Sequence, residues 1–149
     1  MANTFLDIGS NALVGESFTP AALTTTTNGT GIDLSDSNAN MASALLNVGA
    51  VSGTQGTLNV KIQESTDNTT FVDITGATFA QQTTSGTAGS LGSANGSQII
   101  SFQRNKRYVR AYATMAGTFT NFLFGVTIFS QMNAMPLANG GWINESGGS

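Results

Sequence analysis

Most of the basic residues in this chain fall in one short stretch, and aromatic residues alternate with them. Of five basic side chains, four are Arg104, Lys106, Arg107 and Arg110, and the interleaved rings are Tyr108 and Tyr112. Arginine interleaved with aromatic residues is typical of faces that bind nucleic acid or an acidic partner. Four cations are too few for strong phosphate binding, and the net charge is −3. The composition therefore favours charges that pair with carboxylates on neighbouring strands, and predicts no nucleic-acid partner.

Arg110 is the basic residue for which the sequence makes the most specific prediction. It lies mid-strand between the two tyrosines, so we expect its side chain to be partly buried. Its guanidinium group has the fork shape that holds a carboxylate through two hydrogen bonds, and Glu64 or Asp73 would supply that carboxylate. A pair between subunits across a symmetry axis is the alternative.

The acidic residues are the remaining groups that could do chemistry. The candidates are Asp33, Asp36, Glu64, Asp67 and Asp73. Oxygen ligands alone can hold calcium, and a pair of carboxylates can hydrolyse a glycosidic bond. The chain lacks the Asp-x-Asp-x-Asp-Gly spacing of a calcium loop, and no two of these carboxylates stand out as a pair. We therefore predict turn-capping and salt-bridge roles, with no metal and no cofactor.

The composition excludes several other classes of site. The chain contains neither histidine nor cysteine, so it cannot build a Ser-His-Asp or Cys-His arrangement or a zinc-thiolate site. Only 9% of the 149 residues are charged, against about 25% in ordinary soluble domains. Such a surface is typical of a permanent assembly or an extracellular particle. No signal peptide is evident, and no apolar run approaches the ~20 residues of a membrane helix.

The elements that position these residues are predicted to be β-strands. Residues 106–131 favour a hairpin whose connection lies at residues 116–118. On its first arm Val109, Ala111 and Ala113 share one face. The second arm has an apolar row that begins at Phe122, and its other face, which includes Leu123 and Phe129, is not cleanly polar. We expect this arm to be covered on both sides, with a neighbouring chain as one cover.

The rest of the chain has the same period-two pattern. Leu58, Val60 and Ile62 alternate with polar residues, after a predicted turn at residues 52–56. Seven or eight such strands predict an all-β, single-domain β-sandwich or jelly roll at residues 21–131. Residues 1–20 form a predicted N-terminal arm, and residues 132–149 a C-terminal tail. The arm packs either on a neighbouring subunit or on its own domain.

Two motifs, in order, resemble a pattern found in tailed-bacteriophage virion proteins. In residues 61–74 a strand ends in Gln-Glu-Ser, a turn of Asp, Asn and Thr follows, and the chain resumes with Phe-Val-Asp. Residues 105–111 contain the companion Lys-Arg-Tyr-Val-Arg strand. The resemblance covers about residues 44–130 and implies a β-sandwich or jelly-roll structural protein of a phage particle.

The role that best suits this resemblance and the size of the chain is a capsid cement (decoration) protein. It would be made in the host cytoplasm, assemble as a homotrimer, and bind the major capsid protein on the virion surface, with no membrane partner. The predicted interface residues are Phe5, Leu6, Phe18, Arg107, Tyr108, Arg110, Tyr112, Leu123, Phe129 and Trp142. The alternative is a tail, neck or fibre module, with Tyr108, Tyr112 and Trp142 as a carbohydrate- or receptor-binding platform.

Overall fold

A computed structural model describes residues 8–37, 39–84 and 96–131 of the chain. One helical turn, α1 (Ile8–Asn11), precedes the strands. The strands are β1 (Ala12–Leu23), β2 (Thr27–Asn28), β3 (Ile32–Asp33), β4 (Met41–Ser65), β5 (Val72–Thr78), β6 (Gln82–Thr83), β7 (Ser97–Gln103) and β8 (Tyr108–Gln131). The predicted all-β fold is confirmed. No described helix is long and apolar enough to cross a membrane.

Two long strands, β4 and β8, form the centre of the fold. They pair antiparallel along almost their whole length, from Ala42 opposite Ser130 to Ser65 opposite Tyr108. Midway, their register shifts at three places between Val48 and Gln55. Gly53 and Gly117 have positive φ angles in the same region. Bulges and left-handed glycines bend strands, so both strands turn a corner here together.

The corner divides the antiparallel sheet into two layers. We call layer A the part built from β1, residues 122–131 of β8, residues 41–51 of β4, and β7. Layer B is built from β2 and β3, residues 108–116 of β8, residues 57–65 of β4, and β5 with β6. Both layers contribute to one hydrophobic core, which makes the domain a β-sandwich.

The core is filled by alternate residues of the two central strands. Its fully buried large side chains include Leu46, Leu58, Ile62, Val109, Phe122, Phe124, Val126 and Ile128. One side of the sandwich is bridged by Ser17 of β1: its Oγ accepts the Ala111 amide at 2.8 Å, and its carbonyl accepts the Thr30 amide at 2.7 Å. On the opposite side β5 and β7 approach one another without backbone pairing between them.

The predicted hairpin in residues 106–131 is wrong, as is the predicted turn at residues 52–56. The two glycine-containing segments face each other in the β4–β8 ladder, with Gly56 opposite Gly117. Each strand continues through its bend because the other strand bends with it. The apolar rows predicted on the two arms, at Val109, Ala111 and Ala113 and from Phe122 onward, are both buried, but a corner and not a hairpin connection separates them.

The N-terminal boundary of the sandwich also differs from the prediction. Residues 12–20 of the proposed arm lie in β1, so the sandwich begins at Ala12 and not at residue 21. The interface candidates Phe5, Leu6 and Trp142 lie outside the described residues, in the segments 1–7 and 132–149.

Candidate interaction surfaces

The outer face of layer B carries the predicted basic and aromatic cluster. Alternate residues of β8 point outward there, and the register places Tyr112 opposite Lys61, Arg110 opposite Gln63 and Tyr108 opposite Ser65. Lys61 forms a salt bridge with Asp73 at 2.7 Å. The face is therefore polar, with charges of both signs.

Arg110 does not pair with Glu64 or Asp73 as predicted. Its Nε donates a hydrogen bond to Gln63 Oε1 at 2.9 Å, and its guanidinium carbon lies 4.0 Å from the centroid of the Phe71 ring. Gln63 Nε2 in turn donates to Asp73 Oδ1 at 2.8 Å, so an amide stands between the two charges. Partial burial lowers the pKa of Arg110.

Glu64 points away from this face because neighbouring residues of a strand alternate sides. It is 7% exposed. Its Oε2 accepts the backbone amides of Asn105 at 2.7 Å and Lys106 at 3.2 Å. The carboxylate therefore fixes the β7–β8 connection, a role that the sequence pattern did not reveal.

The other arginines of the cluster are also engaged within the chain. Arg107 holds Asp33 through two hydrogen bonds, at 2.9 and 2.6 Å, which lowers the pKa of Asp33 and raises that of Arg107. Arg104 donates to the carbonyls of Leu34 at 3.1 Å, Ser37 at 2.9 Å and Lys106 at 2.9 Å. Three arginines with separate intramolecular partners do not present a common phosphate-binding surface.

Tyr108 and Tyr112 each have a cation over one ring face. Arg107 lies 5.0 Å from the Tyr108 centroid, and Lys61 lies 5.2 Å from the Tyr112 centroid. Both rings are half-buried. A sugar-binding platform needs open ring faces, so these cations weaken the carbohydrate alternative.

The acidic candidates do not form an open site. Asp67 Oδ1 accepts the Ser65 hydroxyl and the amides of Thr69 and Thr70, which makes it a turn-capping residue and lowers its pKa. Glu64 and Asp73 both line a cleft of about 610 Å³ between β5 and β7, but each already has the partners described above. Among the described residues, no group of three or more acidic side chains could hold a metal ion.

Three lowered carboxylate pKa values predict an acid-sensitive fold. Hydrogen bonds from Arg107, Thr70 and Lys61 are the main causes for Asp33, Asp67 and Asp73, respectively. A carboxylate with a lowered folded-state pKa stabilises the fold above its unfolded-state value of about 3.9, and that stability is lost as pH falls further. We expect the melting temperature, followed by circular dichroism, to fall steadily from about pH 4 to pH 2.

One variant measures how much Asp33 contributes to the pH dependence of the melting temperature. Asp33→Asn keeps the shape of the side chain but cannot titrate, so its melting temperature should depend less steeply on pH. Because exposed ion pairs contribute only about 0.2–1 kcal/mol, the loss at neutral pH should be small. A melting temperature that stays level or rises on acidification would contradict this prediction.

The outer face of layer A differs sharply from that of layer B. We call it the layer A face; its residues are Val14, Glu16, Ser43, Leu45, Asn47, Ile99, Ser101, Leu123, Thr127 and Phe129. Two rows cross all four strands: Val14, Phe129, Ser43 and Ser101 form one, and Glu16, Thr127, Leu45 and Ile99 form the other. Glu16, on the edge strand, is the single charged residue in this set.

The layer A face leaves apolar surface exposed to solvent. Val14 is 60% exposed and Ile99 is 62% exposed, while Leu45, Leu123 and Phe129 are half-buried. The hydroxyl groups of Ser43 and Ser101 are 3.0 Å apart and satisfy one another. Covering this face would therefore remove apolar surface from water at little polar cost.

The predicted interface residues divide between the two layers and the core. Leu123 and Phe129 lie on the layer A face, and Tyr108, Arg110 and Tyr112 lie on the outer side of layer B. Arg107 comes just before β8 and binds Asp33 of β3. The prediction that Phe18 is an interface residue is wrong. Phe18 is 7% exposed and packs edge-on against Phe124 in the core, at 5.2 Å between centroids. Val14, Leu45 and Ile99 were missed, although Leu45 lies between two buried alternating positions of β4.

Comparisons with known proteins give only a weak structural similarity. No protein-family model matches the sequence, and no curated protein matches it. Among solved structures, the crystal structure of the SPBc2 prophage-derived protein YomS matches with a TM-score of 0.45 and 10% identity, over 79% of this chain and 90% of that one. A similarity at this level does not establish a shared fold or function.

Proposed function

We propose that this chain is a non-enzymatic structural protein of a phage particle, and specifically a capsid cement protein that binds the head shell. The sequence resemblance supplies the phage assignment. Its two motifs lie on adjacent strands, since Gln63 pairs with Arg110 and Glu64 with Val109. They therefore form one continuous part of layer B.

The layer A face is the observation that supports a docking role. It combines exposed apolar residues, paired hydroxyls and a single carboxylate at its edge. Four strands at about 4.8 Å spacing and seven residues at about 3.3 Å give roughly 440 Å². A stable interface buries about 800 Å² on each partner, so one such contact is weak. Copies joined in an oligomer, as the resemblance implies, would bind through their combined contacts.

Binding to particles tests the docking role. Purified protein mixed with particles that lack it should sediment with them, and Val14→Lys should lower the bound fraction at least tenfold. Val14 is exposed, so this change should leave the fold intact. Thr114→Lys, at an exposed site on layer B, is the matched control and should bind normally. Equal binding of both variants would exclude the layer A face as the docking surface.

The alternative is a tail, neck or fibre module, and copy number separates it from a cement protein. Electron microscopy of the particle should place hundreds of copies on the head shell; a handful of copies at the tail would overturn the cement role. A receptor-binding module would use the Tyr108 and Tyr112 rings, which are only half-buried, although a cation lies over one face of each ring. Glycan binding that is lost in Tyr112→Ala would support that module.

The resemblance also implies that the protein assembles as a homotrimer. Light scattering on the purified protein tests this oligomeric state.

A further inference from the structure

The strand edges of this sandwich are protected unequally. An exposed strand edge pairs readily with another chain, so proteins shield it with charge, proline, bulges or shortness. The edge strand β1 carries Glu16, Pro20 and two register shifts. The edge strand β5 is protected from pairing by the charge of Asp73, by a register shift and by Gly76, whose φ is +83°. The strands β2, β3 and β6 have two residues each.

The edge of β7 has none of these protections. Its sequence, Ser-Gln-Ile-Ile-Ser-Phe-Gln, contains no charge, proline or glycine. All seven residues pair with β4 in unbroken register, from Met41–Gln103 to Asn47–Ser97. Within the described residues, no strand pairs with its other edge. The absence of bulges leaves that edge straight, as strand addition requires.

We propose that β7 pairs antiparallel with β7 of a second copy of this chain about a two-fold axis. An identical strand suits this edge because neither copy brings a charge to the contact. With the axis at Ile100, Ile99 of each copy lies beside Ser101 of the other, so an apolar side chain alternates with a small one. Any three-fold contact must use a different surface.

This pairing would enlarge the layer A face, a consequence that rests on the proposed docking function. Two four-stranded layers become one eight-stranded surface, and the estimate of roughly 440 Å² per copy becomes about 880 Å². That area matches what one partner buries in a standard interface. A pair of copies would therefore bind the shell much more tightly than one copy.

Cross-linking of single cysteines tests the pairing directly, because the chain has no cysteine of its own. Ser97→Cys, Ser101→Cys and Gln103→Cys each add a thiol to an exposed position of β7. With the axis at Ile100, the two thiols of Ser101→Cys would lie about 8 Å apart, and those of Ser97→Cys and of Gln103→Cys about 20 Å apart. A bis-maleimide with a reach of about 8 Å should therefore convert Ser101→Cys mostly to covalent dimer at micromolar concentration and leave the other two largely uncross-linked. Thr114→Cys on layer B should form no covalent dimer under the same conditions.

A second substitution separates edge pairing from packing of the layer A face. Adding Ile99→Lys to the best cross-linking variant should reduce dimer yield at least tenfold, since lysine on an edge strand opposes pairing. Adding Val14→Lys, at a similarly exposed site on the other edge of layer A, should leave the yield unchanged. Equal loss from both changes, or no cross-link at any β7 position, would overturn the pairing. If no cross-link forms but the protein still binds the shell, the pairing is wrong and the cement function is still supported.

Discussion

Phe124→Ala should lower the free energy of unfolding by about 3–5 kcal/mol. The Phe124 side chain is 1% exposed, lies opposite Val48 on β4 and packs edge-on against Phe18. Truncation to alanine removes its apolar contacts and leaves a cavity that rigid strands on both sides cannot fill. Because domains of this size are stable by only about 5–15 kcal/mol, the loss is large. Urea denaturation followed by circular dichroism measures it.

The partner ring provides an internal control for this prediction. Phe18→Ala should also destabilise the protein, and the double variant should cost less than the sum of the two, by about 0.5–1.5 kcal/mol. Ile99→Ala, at an exposed position, should change stability by no more than about 0.5 kcal/mol. A cost below about 1 kcal/mol for Phe124→Ala would contradict its placement in the core.

The period-two patterns predicted the buried faces well. Leu58, Val60 and Ile62 are each at most 1% exposed, and so are the alternating residues of β8 at Val109 and Ala111. Side chains of a strand alternate between faces whatever the strand pairs with, so this information is local. The same pattern revealed that the second half of β8 has two apolar faces, which the layer A face explains.

The glycine signals were misinterpreted because their meaning depends on distant residues. A Gly-containing segment between two apolar runs is typical of a hairpin connection. Here each such segment has a partner of the same kind across the ladder, so the two strands stay side by side through the bend, with bulges where the register shifts. No local pattern distinguishes these two arrangements, since the difference lies in which strand comes alongside.

The interaction surfaces were predictable only in part for a related reason. The low charge of the chain indicated contact with neighbours, and Leu123 and Phe129 do lie on the layer A face. Val14 and Ile99 also lie on this face, but only the order of the strands places them there, because β1 and β7 occupy opposite edges of layer A. The partner of Arg110 likewise depended on register, which places Gln63 directly opposite it.

The corner can be tested by Gly117→Ala, which should lower stability by about 3 kcal/mol. Gly117 has φ +86°, a conformation that costs other residues about 1–2 kcal/mol. An added Cβ would also meet the carbonyl oxygen of Gln55 on β4, and such overpacking costs about 1–3 kcal/mol.

Gly76 is the matched control for the corner, with φ +83° and open space where a Cβ would lie. Gly76→Ala should therefore cost only the backbone penalty, about 1–2 kcal/mol. Urea denaturation measures the loss of unfolding free energy in each variant. The difference between the two losses gives the cost of the close approach of β4 to β8. If Gly117 instead lay in a solvent-exposed hairpin turn, the two substitutions would cost the same. A clear excess at Gly117 is thus evidence that both long strands continue through the bend side by side, which is what joins the two layers.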